Sequence, residues 1–68
     1  MFEGKVKRWL TGRGFGFIIP DDGSPDLFCH VSAVTGEVEL TPGDRVSYRI
    51  ASDRNTGRPI AMDVTLVD

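Results

Sequence analysis

The sequence predicts an all-β fold, a small closed five-stranded barrel, and three observations carry that prediction. Short runs rich in β-branched and aromatic residues alternate with clusters of turn formers, no run of ten or more residues repeats apolar side chains at a helical period, and the strand-like runs number five. A chain of 68 residues holds one domain, residues 1–68, because smaller units rarely enclose a core without metals, disulfides or partners.

The first strand is expected over residues 3–10 and ends at Thr11-Gly12. The second, residues 14–20, stops at Asp21-Asp22-Gly23-Ser24. The third covers 25–32 and is followed by a loop holding Gly36, Pro42 and Gly43. The fourth, 45–52, runs into Asp53-Arg54-Asn55-Thr56-Gly57, and the fifth covers 59–67. Each connection is rich in residues that accept positive φ or hydrogen-bond their own backbone, so each stops a strand and turns the chain.

Alternation within strands assigns the two faces of the sheet, because successive side chains point to opposite sides. Phe15 and Phe17 fall on one face of the second strand, with Gly14, Gly16 and Ile18 on the other. In the third strand Phe28 and His30 lie opposite Leu27, Cys29 and Val31. Ile18, Leu27, Cys29 and Val31 make an apolar interior, which leaves the aromatic set pointing outward. Leaving a large apolar side chain in water forfeits about 1.5–3 kcal/mol, so an outward aromatic cluster calls for a functional explanation.

The net charge of −2 hides a separation along the chain. Lys5, Lys7, Arg8 and Arg13 face only Glu3 before residue 20, whereas Asp21, Asp22, Asp26, Glu37, Glu39 and Asp44 follow with no base until Arg45. A basic patch can therefore coexist with an acidic total, and a clustered patch is what attracts a polyanion. The start of the chain lacks the basic and apolar segments of a secretory signal, no stretch reaches the length of a membrane span, and a cytoplasmic location is expected.

Arg13-Gly14-Phe15-Gly16-Phe17-Ile18 carries the functional signal. Two flat rings on one face suit base stacking, the glycines allow close approach and strong curvature, and Arg13 is placed to meet a phosphate. The run fits the first five positions of the ribonucleoprotein motif, with Pro20 where a final aromatic belongs. An RNA-recognition motif also needs two helices, for which the chain has no pattern.

Gly4-Lys5-Val6-Lys7, Gly14-Phe15-Gly16-Phe17-Ile18, Pro20-Asp21-Asp22-Gly23 and Asp26-Leu27-Phe28-Cys29-His30 together resemble the cold shock domain over nearly the whole chain. The resemblance implies a five-stranded antiparallel oligonucleotide-binding barrel that binds single-stranded RNA or DNA. Many members of that family act as RNA chaperones or as regulators of transcription or translation. It also implies nucleic-acid contacts at Lys7, Phe15, Phe17, Phe28 and His30, with Arg58 matching a basic position beside the last strand. The chain departs from the pattern at Lys7-Arg8-Trp9, where the family has Lys-Trp-Phe; at Val31, where an aromatic is usual; and in the loop from Thr35 to Thr41, which has no aromatic. With stacking worth about 1–3 kcal/mol per base, two lost positions would weaken binding by a factor from tens to about ten thousand. Arg8 recovers part of this, since a guanidinium both stacks and meets phosphate.

The expected interface is Trp9, Phe15, Phe17, Phe28 and His30 stacking bases, with Lys7, Arg8, Arg13 and Arg58 on phosphates. No catalytic set forms around His30, so no enzyme is expected. Cys29 reads as a small buried hydrophobe. Asp22, Ser24 and Asp26 lack the glycine and glutamate of a calcium loop, and Cys29 with His30 cannot make a zinc site, so neither metal nor cofactor is expected. Gly12 to Gly16 lacks the spacing and following helix of a dinucleotide fingerprint. Phe2 and Tyr48 are assigned to core or edge packing. The expected state is a monomer with no membrane or small-molecule partner. The rival reading is a protein-interaction module on the same barrel, since an exposed apolar patch also suits a protein partner.

Overall fold

In the computed structural model, which describes residues 1–67, five strands close into a barrel. They are β1 (Phe2–Leu10), β2 (Phe15–Pro20), β3 (Leu27–His30), β4 (Arg45–Ser52) and β5 (Pro59–Leu66), in the spatial order β1-β2-β3-β5-β4. Four of the pairings are antiparallel; β3 and β5 meet in parallel at Phe28 and Ile60. A purely antiparallel barrel was expected, and the correction is topological. Directions cannot alternate all the way round a ring with an odd number of strands, so one neighbouring pair must run the same way. Among the described residues no helix is long and apolar enough to cross a membrane.

The third strand is shorter than the expected 25–32. Pro25 lies outside it and offers no N–H to a ladder. At the other end the His30 side chain accepts the Ser32 N–H and opens a 3-10 turn over Val31–Ala33. Val34 then bridges Val64 of β5, and a second 3-10 turn, Thr35–Glu37, passes through Gly36 at φ +81°. Together these carry the chain across the barrel end toward β4.

Two bulges set the side-chain phase. In β1, Val6 pairs with Ile18 but Arg8 pairs with Phe17, so Lys7 is the extra residue. Lys7 and Arg8 are consequently both exposed and Trp9 is turned inward. In β5 the extra residue lies between Met62 and Thr65, the partners of Arg49 and Ser47, and Asp63 there has φ +51°. Ala61 and Val64 therefore both face the interior although three positions apart.

The core comprises Val6, Ile18, Leu27, Cys29, Val46, Tyr48, Ala61 and Val64, with Trp9, Val34 and Leu40 joined to it. Val31, expected inside, is half-buried against this cluster. Tyr48 closes one end beneath the half-exposed Phe2, their rings stacked with centroids 6.0 Å apart. The expectation that both serve as packing residues agrees with this geometry. Cys29 is fully buried, and desolvation pushes its thiol up to about 11.

Candidate nucleic-acid interface

The outward faces of β1, β2 and β3 bring the aromatic set together through strand register alone. Phe17 stands opposite Phe28, Phe15 opposite His30, and Arg8 opposite Phe17. Since Phe28 also pairs with Ile60, one row runs Arg8, Phe17, Phe28, Ile60 across four strands. The three phenylalanine rings touch: Phe15 and Phe28 are tilted with centroids 5.4 Å apart, while Phe17 meets Phe28 edge-on at 6.0 Å and Phe15 at 6.3 Å. All three are half-buried, so each ring supports its neighbours and still presents a face.

Gly16 explains how such a surface forms. It lies between Phe15 and Phe17 on the inward side, and a Cβ there would collide with the Arg8 carbonyl oxygen and the Trp9 ring. The absence of a side chain lets Trp9 lie directly under the β2 backbone. Trp9 is thus part of the core, 8% exposed, with its indole N–H donated to Glu39 at 3.2 Å. The expectation that Trp9 stacks on bases is corrected: the bulge at Lys7 reverses its phase, and the ring supports the platform from beneath.

The polar rim is distributed around the rings. Lys7 is exposed and ion-paired with Asp26 at 2.9 Å. Arg8 is exposed beside Phe17, and Arg13 lies in the exposed turn between β1 and β2. That turn is fixed by Arg13 and Gly14 N–H groups donating to the Leu10 carbonyl and by the Val31 N–H donating to the Gly14 carbonyl at 2.8 Å. His30 is exposed at the edge; its Nδ1 accepts the Ser32 N–H at 3.1 Å and lies 2.9 Å from the Ser32 hydroxyl. With Nδ1 accepting, the neutral ring carries its proton on Nε2.

Arg58 reaches the interface from the β4–β5 loop. Asp53 accepts the Asn55 and Thr56 N–H groups on its side chain and the Gly57 N–H on its carbonyl, with Gly57 at φ +73°. The Asp53 N–H donates to the Arg58 carbonyl, closing the loop. Arg58, Asp53 and Thr56 then border a groove of about 350 Å³ whose other walls include Phe17, Phe28 and Ile60. Ile60, Pro59, Thr56, Asp53 and Asp26 were not anticipated on this surface. Their signal was faint, lying only in their adjacency to Arg58 and Phe28, because the closure of β5 against β3 that assembles them depends on the whole barrel.

The structure therefore brings eight of the nine expected residues to the outer surface of the barrel and places the ninth, Trp9, inside. Among the described residues no group of three or more metal-ligating side chains converges.

Known proteins resemble this chain over most of its length. The chain is 48% identical over 60 residues to a probable cold shock protein of Sinorhizobium fredii, covering 85% of this chain and 87% of that one. It is 44% identical over 63 residues to a cold shock protein of Rhizobium meliloti, covering 90% and 91%. The human calcium-regulated heat-stable protein 1 is 42% identical over 52 residues, 76% of this chain but 35% of that longer protein. Residues 2–67 match the 'cold-shock' DNA-binding domain. The chain belongs to the cold-shock domain family, a nucleic-acid-binding and non-enzymatic family.

Proposed function

We propose that this protein binds single-stranded RNA or DNA by stacking unpaired bases on Phe15, Phe17 and Phe28, with His30 at the edge. Lys7, Arg8, Arg13 and Arg58 meet the phosphates. The observation that carries this reading is the row Arg8, Phe17, Phe28, Ile60, in which rings that a soluble barrel has no structural reason to expose line a groove walled by Arg58. By holding unpaired segments the protein lowers the population of hairpins through mass action, as an RNA chaperone or a cold-shock regulator in the cytoplasm does.

The test is fluorescence anisotropy of a labelled oligopyrimidine, with a duplex of the same length as competitor and the titration repeated across salt concentrations. Preference for the single strand, together with affinity that falls steeply with salt, supports the proposal. A second reading, docking of a protein, is favoured by an apolar cleft of about 240 Å³ between Phe2, Pro20, Pro25, Tyr48 and Ile50. It predicts no oligonucleotide binding and an association nearly indifferent to salt.

A further inference from the structure

Glu39 lies in the loop before β4, outside the aromatic surface, yet its Oε2 accepts hydrogen bonds from two elements that build that surface. The Trp9 indole N–H donates to it at 3.2 Å and the Gly12 backbone N–H at 3.3 Å. Gly12 belongs to the turn that carries Arg13, and its φ of +86° is a conformation the turn must hold open. Trp9 lies under Gly16, between the two stacking positions of β2. One carboxylate thus ties the loop before β4 to the turn bearing a phosphate-binding arginine and to the ring beneath the platform. The chemistry suits this role, since one side-chain oxygen has lone pairs enough to accept both N–H donors.

We propose that Glu39 is a positioning residue for single-strand binding: through Gly12 and Trp9 it sets where Arg13 stands relative to Phe15. This rests on the nucleic-acid reading given above. The device needs an indole at position 9, because a phenylalanine there would have no N–H to offer, so Glu39 and Trp9 act as a matched pair. The position of an acid in an otherwise repelling place follows from the same logic. A carboxylate near a phosphate path costs affinity by repulsion unless it organises a cation in return.

The experiment is anisotropy titration of a labelled oligothymidylate with the wild type, Glu39→Ala, Glu39→Gln, Arg13→Ala and the double variant Glu39→Ala with Arg13→Ala, each at several salt concentrations. Glu39→Gln keeps an accepting oxygen and loses the charge, so it binds as well as the wild type or tighter. Glu39→Ala loses charge and acceptor alike, so it binds several-fold more weakly than Glu39→Gln. Its log–log salt slope falls by about 0.7, the loss of one single-strand phosphate contact. Arg13→Ala shows the same loss of slope, and the double variant is no worse than either single one. The Trp9 indole and Gly12 amide protons, followed by hydrogen exchange, lose protection in Glu39→Ala and keep it in Glu39→Gln.

Equal affinities for Glu39→Ala and Glu39→Gln, or additive losses in the double variant, overturn the positioning role. If Glu39→Ala fails to fold, Trp9→Phe replaces it in the comparison. That variant removes one of the two donors and must lower the affinity while Arg13→Ala in its background costs less than in the wild type; full additivity there also overturns the proposal. A wild type that binds no single strand overturns the nucleic-acid reading first, and that outcome is distinct from a wild type that binds with Glu39 contributing nothing.

Discussion

Gly16→Ala tests how the platform is built. A Cβ at this position would press on the Arg8 carbonyl oxygen and the Trp9 ring inside the approach that carbon atoms make, and would stand 3.1 Å from the Trp9 Cα. Two of those obstacles are backbone, which cannot swing away as a side-chain tip can, so β1 and β2 must separate or the indole must tilt. Overpacking of a well-filled core costs about 1–3 kcal/mol. A domain of this length holds only about 3–10 kcal/mol in total, and each kcal/mol lowers the melting temperature by about 4–8 °C at this size. Thermal denaturation followed by far-ultraviolet circular dichroism should therefore show a fall of about 4–24 °C. Trp9→Phe removes the part of the ring that Ala would strike, so the combined variant should be more stable than the two single losses added together, with coupling above about 0.5 kcal/mol. A Gly16→Ala protein that melts with the wild type would refute the placement of Trp9 beneath β2.

Other consequences follow from individual contacts. Phe28→Ala removes the ring that touches both other phenylalanines and faces Ile60, so it should weaken single-strand affinity by about 5- to 150-fold, the equivalent of one stacked base, in an anisotropy titration. Cys29 should resist alkylation at neutral pH in the folded protein and react on unfolding, since its thiol is buried and pushed up to about 11. The unfolded thiol ionises near 9.0, so the folded state holds its proton more tightly and stability is complete below that pH. It is then lost as pH rises from 9.0 toward 11, and urea titrations of Cys29→Ala should lack that part of the decline. Arg45 bridges Glu3 and Asp21, and its hydrogen bond holds the Asp21 carboxyl below 3.8. In Arg45→Ala the Asp21 carboxyl should titrate closer to 3.8 by nuclear magnetic resonance, and the small acid-side stability it gives above that pH should disappear.

The strand positions and the outward aromatic face were legible because both rest on local signals. Turn formers punctuate the chain, and alternation over Phe15, Gly16, Phe17, Ile18 and over Leu27, Phe28, Cys29, His30 is uninterrupted in the structure. Trp9 was expected among the stacking residues, and it lies where alternation fails. The bulge at Lys7 leaves no local signature beyond two consecutive basic residues, and the contact that goes with it is tertiary: the indole lies against Gly16 of the neighbouring strand, where a Cβ would collide with it. The same holds at Asp63, whose positive φ nothing nearby in the sequence announces. The end of β3 at His30 depends on a side chain capping its own next turn, which residue types allow but do not demand. Glu39 was invisible as a partner of Trp9 because thirty residues separate them and only the closed barrel brings them together.

The aromatic face itself is tested most directly by Phe15→Ala combined with Phe17→Ala, titrated with a short labelled oligopyrimidine and compared with the wild type by circular dichroism. Stacking on these rings predicts that the double variant keeps the barrel spectrum and loses about 2–6 kcal/mol of binding, enough to abolish a measurable titration. A double variant that stays folded and binds the oligonucleotide as the wild type does would contradict the account.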